Sequence, residues 1–180
     1  MTWVLVVTLL MVLTLWLARN LAGRLHQIHI RRDDLLISLR WQLIQRESLI
    51  SRLLEENFFD SGDAQRISQV VEFANQQSNS NLETYLIAES QVSGELREVF
   101  ERIQDLGSTA TFSIVQELAQ CCYRIELARR FHNDAVGAAL LLHKRLLVRV
   151  FRLAGNTPLP TAIDMDDAFP EKLQELLSGH

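Results

Sequence analysis

The stretch YRIELARRFHNDAV, residues 123–136, contains the side chains best suited to chemistry, with His132, Asn133 and Asp134 in direct succession. A catalytic imidazole needs a nucleophile or an acid within hydrogen-bond reach. On a helix the side chain of Asp134 points away from that of His132, because only residues three or four apart share a face. We therefore interpret His132 as a semi-buried ring that sets the helix register, with a ligand or partner contact as the alternative.

Other signatures of catalysis or cofactor binding are missing from the sequence. It has no P-loop, no glycine fingerprint for dinucleotides and no nucleophile elbow. His26 and His29 are three residues apart but have no third metal ligand nearby. The arginines alternate with acidic residues and lack an aromatic platform, which disfavours nucleic acid as a partner. The sequence thus predicts no catalytic residue, no metal, no cofactor and no enzymatic activity.

Cys121 and Cys122 are the only cysteines of the chain, and they are adjacent on a predicted helix. Their side chains diverge there, so a disulfide between them is sterically poor. We interpret them as two small buried apolar residues.

The composition is that of an all-α protein, since 48% of the residues are hydrophobic and only 7 are Gly and 3 are Pro. Helix-forming residues dominate, and β-branched runs are scarce beyond the N-terminus. Charge is segregated along the chain: residues 1–54 and 121–155 are basic, whereas residues 55–120 and the tail from Asn156 are acidic. Such blocks predict docking surfaces.

Residues 2–18 carry no charge. As a helix they would span about 26 Å, close to the ~30 Å hydrocarbon core of a bilayer. Trp3 and Trp16 stand at the two ends of this run, where aromatic rings favour the membrane interface. A cleaved signal peptide is the alternative, but no basic segment precedes the run and no small-x-small site follows it. The sequence therefore predicts a transmembrane anchor over residues 1–20.

The flanks of this segment predict its orientation. Arg19, Arg24, Arg31 and Arg32 all follow the apolar run, and only the amino terminus precedes it. The positive-inside rule then places the N-terminus outside and the C-terminal domain in the cytoplasm of a bacterial inner membrane.

Apolar residues at helical spacing predict several long helices after the anchor. The first continues to about Glu56, where NFFDSGD ends it, with Gly62 in the turn and Asp63 as the next N-cap. The later helices are predicted over residues 64–77, 82–105 and 110–154.

The last of these helices carries an apolar stripe with steps of three and four residues. That spacing indicates coiled-coil-like packing in an antiparallel bundle over residues 21–155. The stripe consists of Ile114, Leu118, Cys121, Ile125, Ala128, His132, Ala135, Ala139, Leu146, Val150 and Leu153.

Residues 156–180 are predicted to form an acidic, mobile tail. They contain one weak helical patch near 171–177. Asp164, Asp166 and Asp167 are expected to be solvated charges.

Residues 123–136 resemble the signature N-R-I-x-x-A-R-x-x-Y-N-D-A-V of the LemA family. Tyr123 replaces an Asn, and His132 stands where the family has Tyr. The matching residues are Arg124, Ile125, Ala128, Arg129, Asn133, Asp134, Ala135 and Val136.

QIHIRRDDLLISL, residues 27–39, also resembles a degraded form of the family's I-D-x-x-x-x-R-R-x-D-L-I-P-N-L. The alignment deletes two residues before Arg31 and puts Ile37 at the family's proline. The corresponding residues are Ile28, Arg32, Asp34, Leu35 and Leu39.

The resemblance covers about residues 1–155 and implies a single-pass bacterial membrane protein with an antiparallel helical domain, in a family without a defined biochemical role. It also implies a polar network around His132, because a position filled by Tyr or His suits a half-buried ring with one polar end. The predicted members are Arg32, Asp34, Arg129, His132, Asn133 and Asp134.

LLLHKRLLVRVFRLAG, residues 140–155, ends the last predicted helix with a basic face. If the helices alternate in direction, this end returns to the membrane beside Arg19 and Arg24. Anionic lipids would then contribute about 1 kcal/mol for each basic residue near the surface; a solvated basic face is the alternative. The predicted interface residues are Arg19, Arg24, Lys144, Arg145, Arg149 and Arg152.

These features favour a membrane-tethered, non-enzymatic helical scaffold or accessory protein. Its expected partners are other membrane proteins or further copies of itself. The alternative is a membrane-shaping or lipid-contacting protein that acts through the basic end of its last helix. A hydrolase or protease component is a third interpretation, for which the sequence offers no residue set.

Overall fold

A computed structural model of the chain describes the backbone of residues 2–104, 106, 108–143 and 161–178, and their side chains except at 15, 17–18, 20–32 and 142–143. This part of the chain forms five α-helices and no strand, which confirms the prediction of an all-α protein. The helices are α1 (Thr2–Glu55), α2 (Ser61–Gln77), α3 (Leu82–Arg102), α4 (Thr109–His143) and α5 (Glu171–Ser178).

The chain divides into two compact units, and α1 and α4 each contribute to both. The first unit comprises Met1–Leu36 and Arg130–Ile163. The second unit comprises Ile37–Arg129 and Asp164–His180. No helix built by the described residues combines the length and the apolar character that crossing a membrane requires.

The end of α1 is a Schellman motif. The N–H of Phe58 donates to the carbonyl of Leu53 (3.0 Å), and the N–H of Asn57 donates to that of Leu54 (3.1 Å). Asn57 has a φ of 52°, a left-handed conformation that Asn tolerates better than most residues because its short polar side chain bonds locally. The helix therefore ends close to the predicted position, with Asn57 making the turn.

The beginning of α2 differs from the prediction. Gly62 and Asp63 lie inside the first turn of α2, and Asp60 occupies the N-cap position. Asp63 is buried, and its carboxylate accepts hydrogen bonds from Arg66 of the same helix and from Arg102 of α3. A tertiary ion pair has thus replaced the capping role that local sequence suggested for Asp63.

Within the second unit, α2 and α3 are antiparallel neighbours. The start of α2 meets the end of α3 through Asp63 and Arg102. Arg66 forms an ion pair with Glu95 (2.9 Å), about two turns before Arg102 on α3. An aromatic cluster closes this end of the unit, with Phe100 lying 5.9 Å from Phe58 and 6.3 Å from Phe59 between ring centroids. Apolar residues of α1, α3 and α4 fill the interior: Leu39, Leu43, Ile50, Leu53, Val92, Leu96, Val99, Val115, Leu118 and Ile125.

The break between α2 and α3 is fixed by a helix cap. Asn81 has an extended conformation, and its Oδ1 accepts a hydrogen bond from the N–H of Thr84 (2.8 Å). This bond satisfies one of the four N–H groups that the first turn of a helix leaves without a partner.

Replacing Asn81 with Ala should lower the free energy of unfolding by about 1 kcal/mol, because the side-chain acceptor is lost. Urea unfolding followed by circular dichroism measures this change. Asn81→Asp, which keeps an acceptor, serves as the matched control and should stay close to the wild type. Equal losses of unfolding free energy for both variants would show that the capping hydrogen bond does not account for the contribution of Asn81 to stability.

Candidate interaction site

The interior of the second unit contains an ion pair between α1 and α3. Arg46 Nη2 donates to Glu89 Oε2 (2.6 Å) and to the Glu89 carbonyl (3.0 Å), while Arg46 Nη1 donates to Ser93 Oγ (2.8 Å). The side chains of Arg46 and Glu89 are only 2% and 0% exposed. Both charges are therefore removed from water and satisfied mainly by each other.

This pair occupies positions where an apolar side chain would be expected. Arg46 follows Leu43 by three residues and precedes Ile50 by four, in the middle of the buried stripe of α1. Glu89 lies in the same way between Tyr85 and Val92 on α3. Burial lowers the pKa of Arg46, but the neighbouring Glu89 carboxylate more than offsets this effect, so that the pKa is raised and the guanidinium stays charged.

Glu47 and Tyr85 extend the pair into a cluster of buried polar groups. Glu47 Oε1 and Glu89 Oε1 are both buried. Burial, together with a hydrogen bond to Glu89, raises the pKa of Glu47 to about 8. Burial and the same carboxylate also raise the pKa of Tyr85. If Glu47 keeps its proton at neutral pH, its carboxyl group can donate a hydrogen bond to Glu89, which gives a partner to a buried oxygen of each residue. We call Arg46, Glu47, Tyr85, Glu89 and Ser93 the core cluster.

The two cysteines lie beside this cluster on α4, and both are buried and free. The Sγ of Cys121 donates to the carbonyl of Gln42 (3.2 Å), which joins α4 to α1. Burial raises the pKa of both thiols, that of Cys122 to about 12. The prediction of two unbridged, buried residues is confirmed.

Part of the acidic tail belongs to the second unit and packs on α3. Arg97 of α3 donates to both carboxylate oxygens of Asp166 (3.1 and 2.5 Å) and to the carbonyl of Ala168 (2.5 Å). The N–H of Asp166 donates to Ser90 Oγ (3.1 Å), which lies about two helical turns before Arg97 on α3. Residues 164–178 thus make specific contacts, which differs from the mobile tail and the solvated carboxylates that composition suggested.

Arg129 of α4 anchors the same segment from a second helix. Its Nε donates to Asp167 Oδ2 (2.5 Å), and this hydrogen bond raises the pKa of Arg129. Further along, Lys172 donates to the carbonyls of Glu101 and Ile103 at the C-terminal end of α3. A cation at this end of a helix is favoured by the helix dipole.

A cavity of about 270 Å³ remains where the tail passes the end of α3. It is lined by Arg97, Phe100, Glu101, Phe169, Pro170, Glu171 and Lys172. We call the surface formed by Ser90, Arg97, Phe100 and Arg129 the tail groove, and residues 164–170 its resident segment.

Three members of the predicted polar network, His132, Asn133 and Asp134, lie on α4 in the first unit. His132 is buried. Asn133 bonds the backbone of Ile163 twice, since its Nδ2 donates to the Ile163 carbonyl (3.0 Å) and its Oδ1 accepts from the Ile163 N–H (2.8 Å). Asp34 and Asp134 are exposed, which does not suit a place in a buried network. The side chain of Arg32 lies outside the described residues.

Most of the predicted membrane-interface residues also lie outside the described part of the chain. Arg19 is exposed on α1. The side chain of Arg24 is not among those described, and neither are Lys144, Arg145, Arg149 and Arg152.

Sequence reasoning did not identify the core cluster, although a signal for it exists. The stripe of α1 has a seven-residue interval between Leu43 and Ile50, with Arg46 at the missing position. In α3, Glu89 likewise occupies a stripe position, four residues after Tyr85 and three residues before Val92. Two opposite charges at stripe positions of two helices are what a buried ion pair requires.

Among the described residues, no group of three or more His, Cys, Asp or Glu side chains is arranged to hold a metal ion. No protein-family model, curated protein or solved structure matches the chain. The similarity to the LemA signature therefore stays a prediction from the residues alone.

Breaking the buried ion pair should be costly, whereas replacing it completely should not. Arg46→Met alone should reduce the free energy of unfolding by about 3–5 kcal/mol, because Glu89 would keep a buried charge without its partner. Arg46→Met combined with Glu89→Met should recover most of that loss. Guanidinium unfolding curves measure both changes.

The matched control is Arg52→Met on the same helix, whose partner Glu117 lies at 3.1 Å with both side chains about half exposed. An exposed pair contributes at most about 1 kcal/mol. Equal losses for Arg46→Met and Arg52→Met, or a double variant as unstable as the sum of its single changes, would contradict the buried pair.

Glu47 makes stability depend on pH in a defined direction. Its pKa in the folded chain is about 8, above the ordinary value of 4.5, so the folded chain keeps a proton that the unfolded chain releases. This contribution is fully present below about pH 4.5 and is lost as the pH rises through about 8. Glu47→Gln keeps an N–H donor at every pH, so its free energy of unfolding should lack this dependence.

Urea midpoints between about pH 5 and about pH 9 test this prediction. The stability of the wild type relative to Glu47→Gln should decline across that interval. Glu55→Gln, at an exposed position near the end of α1, should differ from the wild type by a constant amount. Parallel pH profiles for the wild type and Glu47→Gln would contradict the assignment.

Proposed function

We propose that this chain is a single-pass, membrane-anchored helical scaffold or accessory protein of the LemA type, without enzymatic activity. In this proposal the N-terminus lies outside and the helical domain lies in the cytoplasm of a bacterial cell. The arginines that follow the apolar run support that orientation.

One observation carries the proposal of a membrane anchor. The apolar side chains at the start of α1 are exposed all round the helix instead of being buried on one face. A helix that is apolar all round needs an apolar environment. The exposed large residues of this segment are Trp3, Val4, Leu5, Val6, Val7, Leu9, Leu10, Met11, Val12, Leu13 and Trp16.

A scaffolding role is supported by a second exposed apolar surface. Ile37, Trp41 and Ile44 are exposed on α1, at intervals of four and three residues that place them on one face. Contiguous exposed apolar side chains with polar neighbours are typical of surfaces that contact other proteins. The two cysteines and the carboxyl and hydroxyl groups of the core cluster are instead buried.

Site-specific photo-crosslinking in native membranes tests the proposal. A photoreactive phenylalanine analogue at Ile44 should give a reproducible product with a membrane protein, identified by mass spectrometry. The same group at Glu56, an exposed position beyond the end of α1, should give no such product. A reporter enzyme that works only outside the cytoplasm should be inactive when fused after His180.

Two outcomes would contradict the scaffold. An active external reporter would reverse the orientation. Self-association with vesicle remodelling, and no other partner at Ile44, would instead support the lipid-contacting alternative. That alternative rests on the basic face formed by Arg145, Arg149 and Arg152 in the sequence.

A further inference from the structure

Residues 164–170 belong to the second unit and pack on its helices α3 and α4 in the way that an extended peptide binds to a receptor. Met165, Asp167 and Phe169 are buried, while the residues between them, such as Asp166 and Ala168, are exposed. This alternation has the period of two that extended chains show. No strand pairs with the segment, because its contacts are to side chains of α3 and α4. The segment is therefore recognised by its sequence of side chains.

Two arginines, one on α3 and one on α4, bind the carboxylates of two successive residues. Arg97 holds both oxygens of Asp166, and Arg129 holds Asp167. A guanidinium that bonds both oxygens of one carboxylate fixes geometry as well as charge. The bond from Arg97 lowers the pKa of Asp166, so this carboxylate is charged at neutral pH. Arg97 also binds the carbonyl of Ala168, which fixes the backbone direction.

From this arrangement we propose that the tail groove is a recognition site for acidic, extended peptide segments, and that residues 164–170 are its exchangeable resident. The fitting partner is a protein segment with two successive carboxylates, an apolar residue before them and an aromatic residue two positions after them. This pattern is that of Met165 to Phe169. The two carboxylates of such a partner segment are complementary in charge to Arg97 and Arg129.

The location of the anchoring charges makes exchange feasible. Arg97 is 32% exposed and Asp166 is 44% exposed, and exposed ion pairs contribute little to stability individually. The second pair is more buried, with Arg129 24% and Asp167 9% exposed, so it provides the stronger hold on the resident segment. The cavity of about 270 Å³ beside Phe169 and Lys172 leaves part of the resident segment without close packing. A competing segment can therefore start to bind there. The core cluster joins α1 to α3, and Cys121 joins α4 to α1, in both cases without any tail residue. We therefore expect the groove to keep its shape when the resident segment leaves.

The inference rests on the proposed scaffold function only for its role in the cell, because the purified chain should bind such a peptide whether or not the scaffold function is correct.

The experiment uses a fluorescein-labelled synthetic peptide of residues 161–178 and measures its fluorescence anisotropy in the presence of the full-length chain. The wild type should bind the peptide weakly, since the resident segment occupies the groove. Asp166→Asn combined with Asp167→Asn should weaken the resident and raise the affinity for the peptide at least tenfold.

Arg97→Gln added to that double variant should abolish the gain, because the groove then lacks one of its two anchors. Arg52→Gln, which changes an equally charged residue of α1, should leave the gain intact. A peptide with both aspartates replaced by asparagine should bind none of the variants.

Hydrogen exchange of residues 161–178, measured in the same samples, makes every result informative. Faster exchange in the double aspartate variant together with peptide binding supports the proposal. A released segment without peptide binding would overturn it, and so would a segment that stays protected without its two carboxylates. Loss of cooperative helix unfolding in that variant would also overturn it, because the segment would then be an inseparable part of the core. Crosslinking at Ile44 does not depend on these results.

Discussion

The buried contact between Arg46 and Glu89 constrains how the helices of the second unit pack. It fixes the rotation of α3 relative to α1, because Glu89 and Ser93 must face the guanidinium. Ser90 and Arg97 are then placed on the part of α3 that meets the tail. A buried ion pair is a weak source of stability but a strict geometric requirement. The position of the tail groove is thus a consequence of the core.

Electrostatics explains why an acidic tail binds to a chain that is acidic overall. Net charge does not describe local surfaces, and Arg97 and Arg129 create a positive site at the groove. Asp166 and Asp167 meet these two arginines, and Lys172 meets the carbonyl end of α3. Carboxylates toward arginines and a cation toward a helix C-terminus are the favourable arrangements in each case. Arg129 belongs to the basic block of residues 121–155, whereas Arg97 lies within the acidic block of residues 55–120, so the charge blocks of the sequence do not by themselves locate this contact.

The helices could be predicted from the sequence because each depends on local signals. The break at Asn81 and the end of α1 near Asn57 follow from capping chemistry and turn residues. The core cluster could not be found from periodicity. The spacing of apolar residues in one helix shows a charged residue only as an interruption, and it does not reveal an oppositely charged partner on another helix. The tail was misjudged for a related reason: its aspartates suggested solvation, although Met165 and Phe169 alternate with them at the spacing of a half-buried extended segment. Both the core cluster and the bound tail depend on contacts between residues that are far apart in the sequence.

The Arg46 guanidinium is fixed and shielded in the interior of the second unit. Nitrogen NMR of the isotope-labelled guanidinium groups of the full-length chain tests it most directly, with the Arg46 signal assigned through Arg46→Lys. Shielding and bonds to Glu89 and Ser93 predict slow exchange with water and restricted rotation for Arg46. The half-exposed Arg52 provides the internal reference and should exchange rapidly. Exchange and rotation of Arg46 as fast as those of Arg52 would contradict the account.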